Sequence, residues 1–591
     1  MEEKPMTIRT LTPHSLELDC DVPKCFVVLS AMPGRKKWVD RKLVFAPTGA
    51  NLQFILTHWP AAIWEGTSKD QLDTFLAIKQ QEQTTREEKH EQLHDDKGYE
   101  YKTIPYNHQK QGFILGRDRK NFAYLWEQGT GKTKVCLDTF AYQWDQNHVD
   151  VLIVIAPNGV HSNWIINEVP IHLPDRIKAQ TFTYSTHMSK AQLLALDKFC
   201  LEPQKTRPCA IVAFNVDGFT SSRAKELYES LLKHHRCMVV EDESNDIQNP
   251  GAMRTQYLIK TSRAALYKRI CNGTPITKGA ENLYAQFKFL DPLILGYDSF
   301  TTFKAQYCWI KALDRSVDGR ERGEMIVGYK NIAELANVVD GHSHRVLKKD
   351  CLDLPEKVYK KHFFEMTSMQ ALAYETVRKS ALLELQEVFG DEHGRKLALE
   401  IALTRLIRLQ QIVCGWVPFS KGEAPVQLAG GNPRMSALLT LLAHVDEKAI
   451  IWVNAPNSVV DISFIAANLQ KEKLGKFVQY HGGIGDDDRN KAIYDFQHDK
   501  SIKWFLASKA AYRGLTLTAA DQAFYYTNNF DLGVRLQSED RNHRIGSEIH
   551  ESITYTDIYT NGIDKKIVNS LRNKKSIADQ VTMDPRTLFM E

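Results

Sequence analysis

The stretch Trp126-Glu127-Gln128-Gly129-Thr130-Gly131-Lys132-Thr133 constrains this chain more than any other, because of what stands on either side of it. Phe122-Ala123-Tyr124-Leu125 reads as an apolar strand, and the amphipathic run that begins at Val135 reads as a helix. A strand that turns through glycines into a helix presents backbone N–H groups at the helix N-terminus, where a polyphosphate is held. Gly129 and Gly131, with Thr130 between them, stand where larger side chains would block that approach. Lys132 is placed for the β- and γ-phosphates and the Thr133 hydroxyl for Mg²⁺. The formal pattern has glycine at the position of Trp126, so the loop alone also suits an ordinary turn before a helix.

The rest of the chain decides between those readings. Beyond about residue 103, strand-like and helix-like segments alternate, which predicts parallel α/β layers. Val151-Leu152-Ile153-Val154-Ile155-Ala156 and Cys237-Met238-Val239-Val240 are apolar throughout, as strands covered on both faces must be. Ala449-Ile450-Ile451-Trp452-Val453 and Trp504-Phe505-Leu506-Ala507 repeat the pattern in a second half, after a helical stretch at about 366–413. Open parallel sheets place ligands at the carboxyl ends of their strands, and Glu241-Asp242-Glu243-Ser244 follows one of these strands directly. Asp242 is the carboxylate that a phosphate-bound Mg²⁺ needs, and Glu243 the base that orients and deprotonates an attacking water. A carboxylate pair at a strand end is otherwise a helix cap or a solvated turn.

Ahead of the lobes, residues 1–65 read as a small β-rich module, with strands at Ser15 to Asp19, Cys25 to Leu29 and Leu43 to Phe45 and a helix at Asn51 to His58. Its Lys36-Lys37-Trp38 sits in a basic run that suits phosphate contact and base stacking, or equally a solvated hairpin rim anchored by Trp38. Residues 66–102 are rich in Lys, Glu, Gln and Asp and read as a charged helical linker marking a domain boundary. A net charge of +4, from 76 basic and 72 acidic residues, leaves any nucleic-acid site to be a local patch. The ten cysteines form no C-x₂-C pair. No apolar run is long enough to span a bilayer and the start lacks a signal-peptide layout, so an intracellular protein without a membrane partner is expected.

With these motifs in order, residues 105–575 resemble the SNF2-type ATPases of helicase superfamily 2. Tyr106-Asn107-His108-Gln109 is similar to the family's Q motif, and Glu127 to Thr133 to its ATP loop, which also lacks Gly at the position of Trp126. Ala156-Pro157-Asn158 with Asn163-Trp164 resembles motif Ia, and Ala213-Phe214-Asn215 a further DNA-facing loop. Asp242-Glu243-Ser244-Asn245 resembles the Asp-Glu box, with Asn245 where the superfamily has His, and Asn272-Gly273-Thr274-Pro275-Ile276 resembles motif III. In the second half Tyr480-His481-Gly482, Ser508 with Gly514-Leu515-Thr516, and Gln537 to Gly546 are similar to the stretch after motif IV and to motifs V and VI. The N-terminal module is weakly similar to the substrate-recognition domain of SNF2 proteins that remodel forks and reanneal strands.

The resemblance implies an α/β fold of two RecA-like parallel-sheet lobes with helical insertions: lobe 1 at 103–345, a helical connection at 346–430, and lobe 2 at 431–591 with a C-terminal helix. It implies ATP and Mg²⁺ as cofactors, with Gln109 reading the adenine edge, Gly514 near the nucleotide, and Arg541 and Arg544 as arginine fingers on one helical face. Pro157, Asn158, Asn163, Trp164, Asn215, Thr274, His481, Gly482 and Ser508, with Lys36, Lys37 and Trp38, become the expected nucleic-acid contacts. The implied activity is DNA-dependent ATP hydrolysis driving translocation on double-stranded DNA, with forked or branched DNA as the remodelled partner. A strand-separating helicase on DNA or RNA and an ATP-switched clamp that does not hydrolyse remain alternatives. A monomer in the cytoplasm of a bacterium or a virus-infected host is expected, with a nuclear protein the other possibility.

Overall fold

Each half of the chain is built on a parallel sheet whose central strands are buried from end to end. The computed structural model describes residues 6–572, apart from 13–14, 21–24, 26–27, 30–31, 33–35, 41, 91–95, 186–187, 202–208, 274–278, 314–321, 389–391, 421, 456–457 and 513. The chain divides into two units, Met1–Cys351 and Leu352–Glu591. Among the described residues no helix is long and apolar enough to cross a membrane.

In the first unit seven strands lie in the order Ser343–Val346, Asn121–Trp126, Tyr267–Cys271, Cys237–Asp242, Val151–Ala156, Ala210–Asn215, Gln180–Tyr184. Every pairing among them is parallel. The apolar run at 151–156 shows why: Val151, Ile153 and Ile155 enter the core on one face, while Leu152, Val154 and Ala156 enter that on the other. Side chains alternate across a strand, so a run apolar at every position needs helices on both sides.

The second unit repeats this with six parallel strands in the order Glu356–Phe363, Ser552–Tyr559, Gln522–Thr527, Ala449–Val453, Ile502–Ser508, Lys476–Tyr480. The stretch 346–430, expected to be helical, therefore contains an edge strand as well as the helices Ser368–Val388 and Glu392–Val413. With Lys360, Lys361 and His362 in one short polar run, that strand carries little of the apolar signal that marks buried ones. Helix Ile563–Arg572 follows the last strand.

The N-terminal module holds a five-stranded sheet in the order Lys36–Val39, Lys42–Phe45, Ser15–Asp19, Thr7–Thr12, Ile63–Glu65. The expected helix is Gly49–His58, capped by the Thr48 side chain, which accepts the Asn51 N–H at 3.2 Å. The expected strand at Cys25 to Leu29 is corrected: its described residues are helical.

The charged stretch after the module forms one helix, Thr67–His90, and it is packed along its length. Phe75 closes the core of the N-terminal sheet. Further along, Lys89 Nζ pairs with Asp340 Oδ1 at 2.7 Å, and Arg86 donates to the Asn337 carbonyl at 2.9 Å, both on helix Ile332–Gly341. A Cβ on Gly341 would come within 2.1 Å of Glu82 Cγ, so the two helices approach where glycine allows it. The module meets the lobe again where Ala50 N–H donates to the Gly296 carbonyl at 3.0 Å. A helix held this way by polar contacts is a strut within the first unit, and polar composition alone does not distinguish it from a solvated linker.

Truncating Phe75 to Ala should remove about 3–5 kcal/mol from the first unit. A thermal melt should show unfolding of the first unit displaced to lower temperature; a profile identical to the wild type would mean that the strut contributes no packing.

Candidate nucleotide and nucleic-acid site

The phosphate loop leaves strand Asn121–Trp126 and enters helix Lys132–Asp145 through two left-handed glycines, Gly129 (φ +78°) and Gly131 (φ +88°). That backbone region is strained for residues with a Cβ, which gives the glycines a second reason beyond access. Trp126, where the formal motif has Gly, is fully buried, and its indole is ringed by His108, Tyr124 and His344 at centroid distances of 5.4, 5.4 and 5.6 Å. The indole thus anchors the base of the loop in the core. Lys132 is 8% exposed and lies back along the loop, its Nζ donating to the Trp126 carbonyl at 2.9 Å. Thr133 is half-buried in the first helical turn.

The Q-motif helix Asn107–Arg117 supports the loop from below. His108 Nε2 donates to the Thr130 carbonyl at 2.8 Å, and Gln109 Nε2 donates to the same oxygen at 3.1 Å. Gln109 Oε1 accepts the Tyr106 N–H at 3.0 Å. The carboxamide expected to read a base edge is engaged here with the loop and its own helix N-terminus. A Cβ on Gly131 would strike Gln109 Nε2 at 2.1 Å, so the fit is close.

Strand Cys237–Asp242 delivers the acidic pair to the same end of the sheet. Burial holds the Asp242 carboxyl above its ordinary range, opposed by the Lys132 ammonium and by the Trp164 indole N–H, which donates to Asp242 Oδ2 at 2.8 Å. Glu243 follows in a left-handed conformation (φ +56°), a strained choice for a residue with a side chain. Its carboxylate accepts Gln128 Nε2 at 3.1 Å. The donor set fits Mg-bound triphosphate on three counts: open left-handed backbone at a helix N-terminus, a buried ammonium, and a carboxylate whose charge that ammonium favours.

The connection from this site to motif III avoids Asn245. The Ser244 hydroxyl donates to Gln286 Oε1 at 2.6 Å, Asn272 Nδ2 donates to the same oxygen at 3.0 Å, and Gln286 Nε2 donates to the Asn282 carbonyl at 2.8 Å. Gln286 is fully buried on helix Leu283–Leu290, 43 residues beyond Glu243. His108, Gln128, Trp164 and Gln286 are site residues that reading the sequence left without these roles. His108 and Trp164 stood in motifs read for other roles and Gln128 lay inside the loop itself, whereas Gln286 had no local signal.

In the second unit helix Leu532–Glu539 ends before the arginines, so the expected shared helical face is corrected. They converge by another route: Arg541 Nη1 and Arg544 Nη1 donate to the Leu515 carbonyl at 3.0 and 2.9 Å. Leu515 follows Gly514, whose φ of +74° turns the chain there. The helix before the arginines is fixed by Arg535, which binds Glu539 and Asp557 in the interior, while Lys357 Nζ reaches Glu539 at 3.0 Å.

The expected nucleic-acid contacts separate into surface and support. Asn158, Gly482 and Lys37 are exposed. Trp164 is corrected: at 1% exposure, with its N–H on Asp242, it is a positioning group of the acidic pair. Trp38 is half-buried against the module core, and Lys36 donates to the Met32 carbonyl at 2.7 Å. Asn215 and Ser508 cap turns by accepting the N–H groups of Asp217 and Ala510. Asn163 is half-buried and donates to Glu168 Oε1 at 3.4 Å. Pro157 and His481 are buried, His481 accepting the Gly483 N–H at 3.1 Å on Nδ1. Thr274 lies outside the described residues.

Residues 77–415 match the SNF2-related domain. The chain belongs to the SNF2-related family. Residues 433–546 match the helicase conserved C-terminal domain. This SNF2-related chain is 26% identical over 467 residues to YwqA of Bacillus subtilis, covering 77% of this chain and 46% of that protein. It is 23% identical over 497 residues to the DNA annealing helicase and endonuclease ZRANB3 of Homo sapiens, covering 82% and 41%. The chain thus spans less than half the length of these two relatives. A solved structure of the Sulfolobus solfataricus SWI2/SNF2 ATPase core in complex with dsDNA matches over 84% of this chain and 97% of that one, at 20% identity and a TM-score of 0.35.

Replacing Trp164 by Phe removes the donor that favours ionised Asp242 against burial. The Asp242 pKa should rise further, so the acid-side fall of ATPase activity should move to higher pH while activity on the alkaline side persists. Superimposable pH–rate profiles for variant and wild type would show that the indole N–H does not tune this carboxylate.

Proposed function

We propose that this chain hydrolyses ATP to translocate on double-stranded DNA and that branched or forked DNA is the form it remodels. The observation that carries the reading is the buried meeting of Lys132, Asp242 and Glu243 at one end of a parallel sheet, with Gln128 fixing the Glu243 carboxylate. The names of two relatives support the direction: YwqA is called a helicase/translocase and ZRANB3 a DNA annealing helicase.

In this reading the loop N–H groups cradle the phosphates and Lys132 exchanges the Trp126 carbonyl for phosphate oxygens. Thr133 and Asp242 hold Mg²⁺, which neutralises phosphate charge when bound. Glu243 orients the attacking water and accepts its proton, and Gln128 keeps that carboxylate aimed. Arg541 and Arg544 supply positive charge to the γ-phosphate, a role assigned by their resemblance to motif VI. The Ser244–Gln286–Asn272 chain gives the acidic pair a route to motif III, so that the state of the phosphate site reaches a DNA-facing loop.

ATP turnover should be low without nucleic acid and rise with duplex DNA. Lys132→Ala and Glu243→Gln should each lower DNA-stimulated turnover about a hundredfold or more, and Arg544→Ala about a thousandfold. Near-normal turnover in any of the three would remove that residue from the site. Displacement of a triplex strand without opening the duplex supports the translocase, whereas release of a free strand from a partial duplex would replace it with a strand-separating helicase.

A further inference from the structure

The first unit carries an antiparallel ribbon, Cys308–Leu313 paired with Arg322–Tyr329, that no step of the ATP chemistry uses. Its side chains are not those of a purely structural hairpin. Trp309 leaves 57% of its surface in solvent and Val327 leaves 55%, although a cross-strand position can hide an indole. Across the ladder from Trp309 stands Gly328, and a Cβ there would lie 3.3 Å from the indole Cδ1. The indole is therefore held against bare backbone on one side. Lys330 Nζ lies 4.8 Å from the ring centroid, and Lys311, two residues along the strand, is exposed. Among the described residues neither lysine has an acidic partner.

The ribbon is firmly mounted. Tyr329 donates its hydroxyl to Glu281 Oε2 at 2.9 Å, and a Cβ on Gly279 would fall 1.5 Å from the Tyr329 oxygen. Lys304 Nζ pairs with Glu324 Oε2 at 2.7 Å, and the Lys330 N–H donates to the Tyr307 carbonyl at 2.9 Å. Gly279 and Glu281 belong to the segment that follows Asn272 and leads into the helix carrying Gln286. The ribbon thus rests, through Tyr329, on the residues that lead into the helix carrying Gln286.

An exposed aromatic ring beside cations that have no acidic partner among the described residues suits an unstacked base and its adjoining phosphates. A protein-docking patch is instead marked by charge depletion at its centre. We propose that the ribbon around Trp309 binds single-stranded DNA, stacking an unpaired base on Trp309 while Lys311 and Lys330 meet its phosphates. The choice of DNA as the polymer rests on the function proposed above. The ribbon would give a DNA translocase a preference for junctions with unpaired arms that plain duplex contacts do not supply.

The test compares the wild-type chain with Trp309→Ala, Trp309→Phe and the double variant Lys311→Ala/Lys330→Ala. Fluorescence anisotropy would measure binding to a single-stranded oligonucleotide, a fork with unpaired arms and a blunt duplex, alongside duplex-stimulated ATPase. Base–aromatic stacking of about 1–3 kcal/mol per base corresponds to a loss of about 5- to 150-fold for Trp309→Ala on single strands and forks. Trp309→Phe should recover most of it, and the lysine variant should flatten the salt dependence. Blunt-duplex affinity and duplex-stimulated ATPase should stay at wild-type values. Single-strand and fork binding that is unchanged in Trp309→Ala overturns the proposal, as does an equal loss on blunt duplex. A wild type that shows no DNA-stimulated ATPase, but whose single-strand binding depends on Trp309, would sink the translocase reading and leave the ribbon site standing.

Discussion

One ammonium and two carboxylates, each less than a tenth exposed, share the end of the first parallel sheet, and the hydrogen bonds each makes, with the pull of Lys132 on Asp242, are what let that end be polar. Lys132, Asp242 and Glu243 would each be costly to bury alone. Lys132 opposes the desolvation of Asp242, and the surroundings supply hydrogen bonds to all three: loop carbonyls for Lys132, the Trp164 indole for Asp242, the Gln128 amide for Glu243. The left-handed backbone at Gly129, Gly131 and Glu243, strained only at Glu243, belongs to the same arrangement, since it aims N–H groups and a carboxylate at one volume.

This constraint propagates outward through buried amides. Thr130 is held by His108 and Gln109, which ties the loop to the Q-motif helix. Glu127 accepts the Lys348 N–H at 2.7 Å, and its own N–H donates to the Val346 carbonyl at 3.0 Å, which ties the loop to the segment closing the first unit. Gln128 binds Glu243, which ties the loop to the strand end where Ser244 and Asn272 meet on Gln286. A displacement of the loop therefore meets resistance from three neighbouring elements, a requirement for any device that converts phosphate chemistry into movement.

The second unit uses a different solution to place its arginines. Arg541 and Arg544 rest on one backbone carbonyl, just after a left-handed glycine, while the preceding helix is fixed by Arg535 between Glu539 and Asp557. Buried charge in this unit thus supports the stretch that carries Arg541 and Arg544, and backbone geometry delivers the guanidinium groups. In the N-terminal module the surface aromatic and basic residues are divided differently: Trp38 leans on the core, whereas the exposed indole of the first unit is Trp309, in a ribbon with no motif to announce it.

The sequence by itself determined the alternation of buried strands and helices, the strand–loop–helix at Gly129 to Thr133, and the Asp242-Glu243 pair at a strand end. Those are local matters: side-chain period, glycine tolerance and the charge of adjacent residues are written in short windows. Only the tertiary structure decided that Thr67–His90 is a packed strut, that Glu356–Phe363 joins the second sheet, and that Trp164 serves Asp242 rather than the surface. It alone brought Gln286 to Ser244 across 42 residues of chain and both arginines to Leu515. Each of these depends on a partner distant in sequence, and a polar side chain carries no local mark of whether its hydrogen bond will be to water or to a buried group far along the chain.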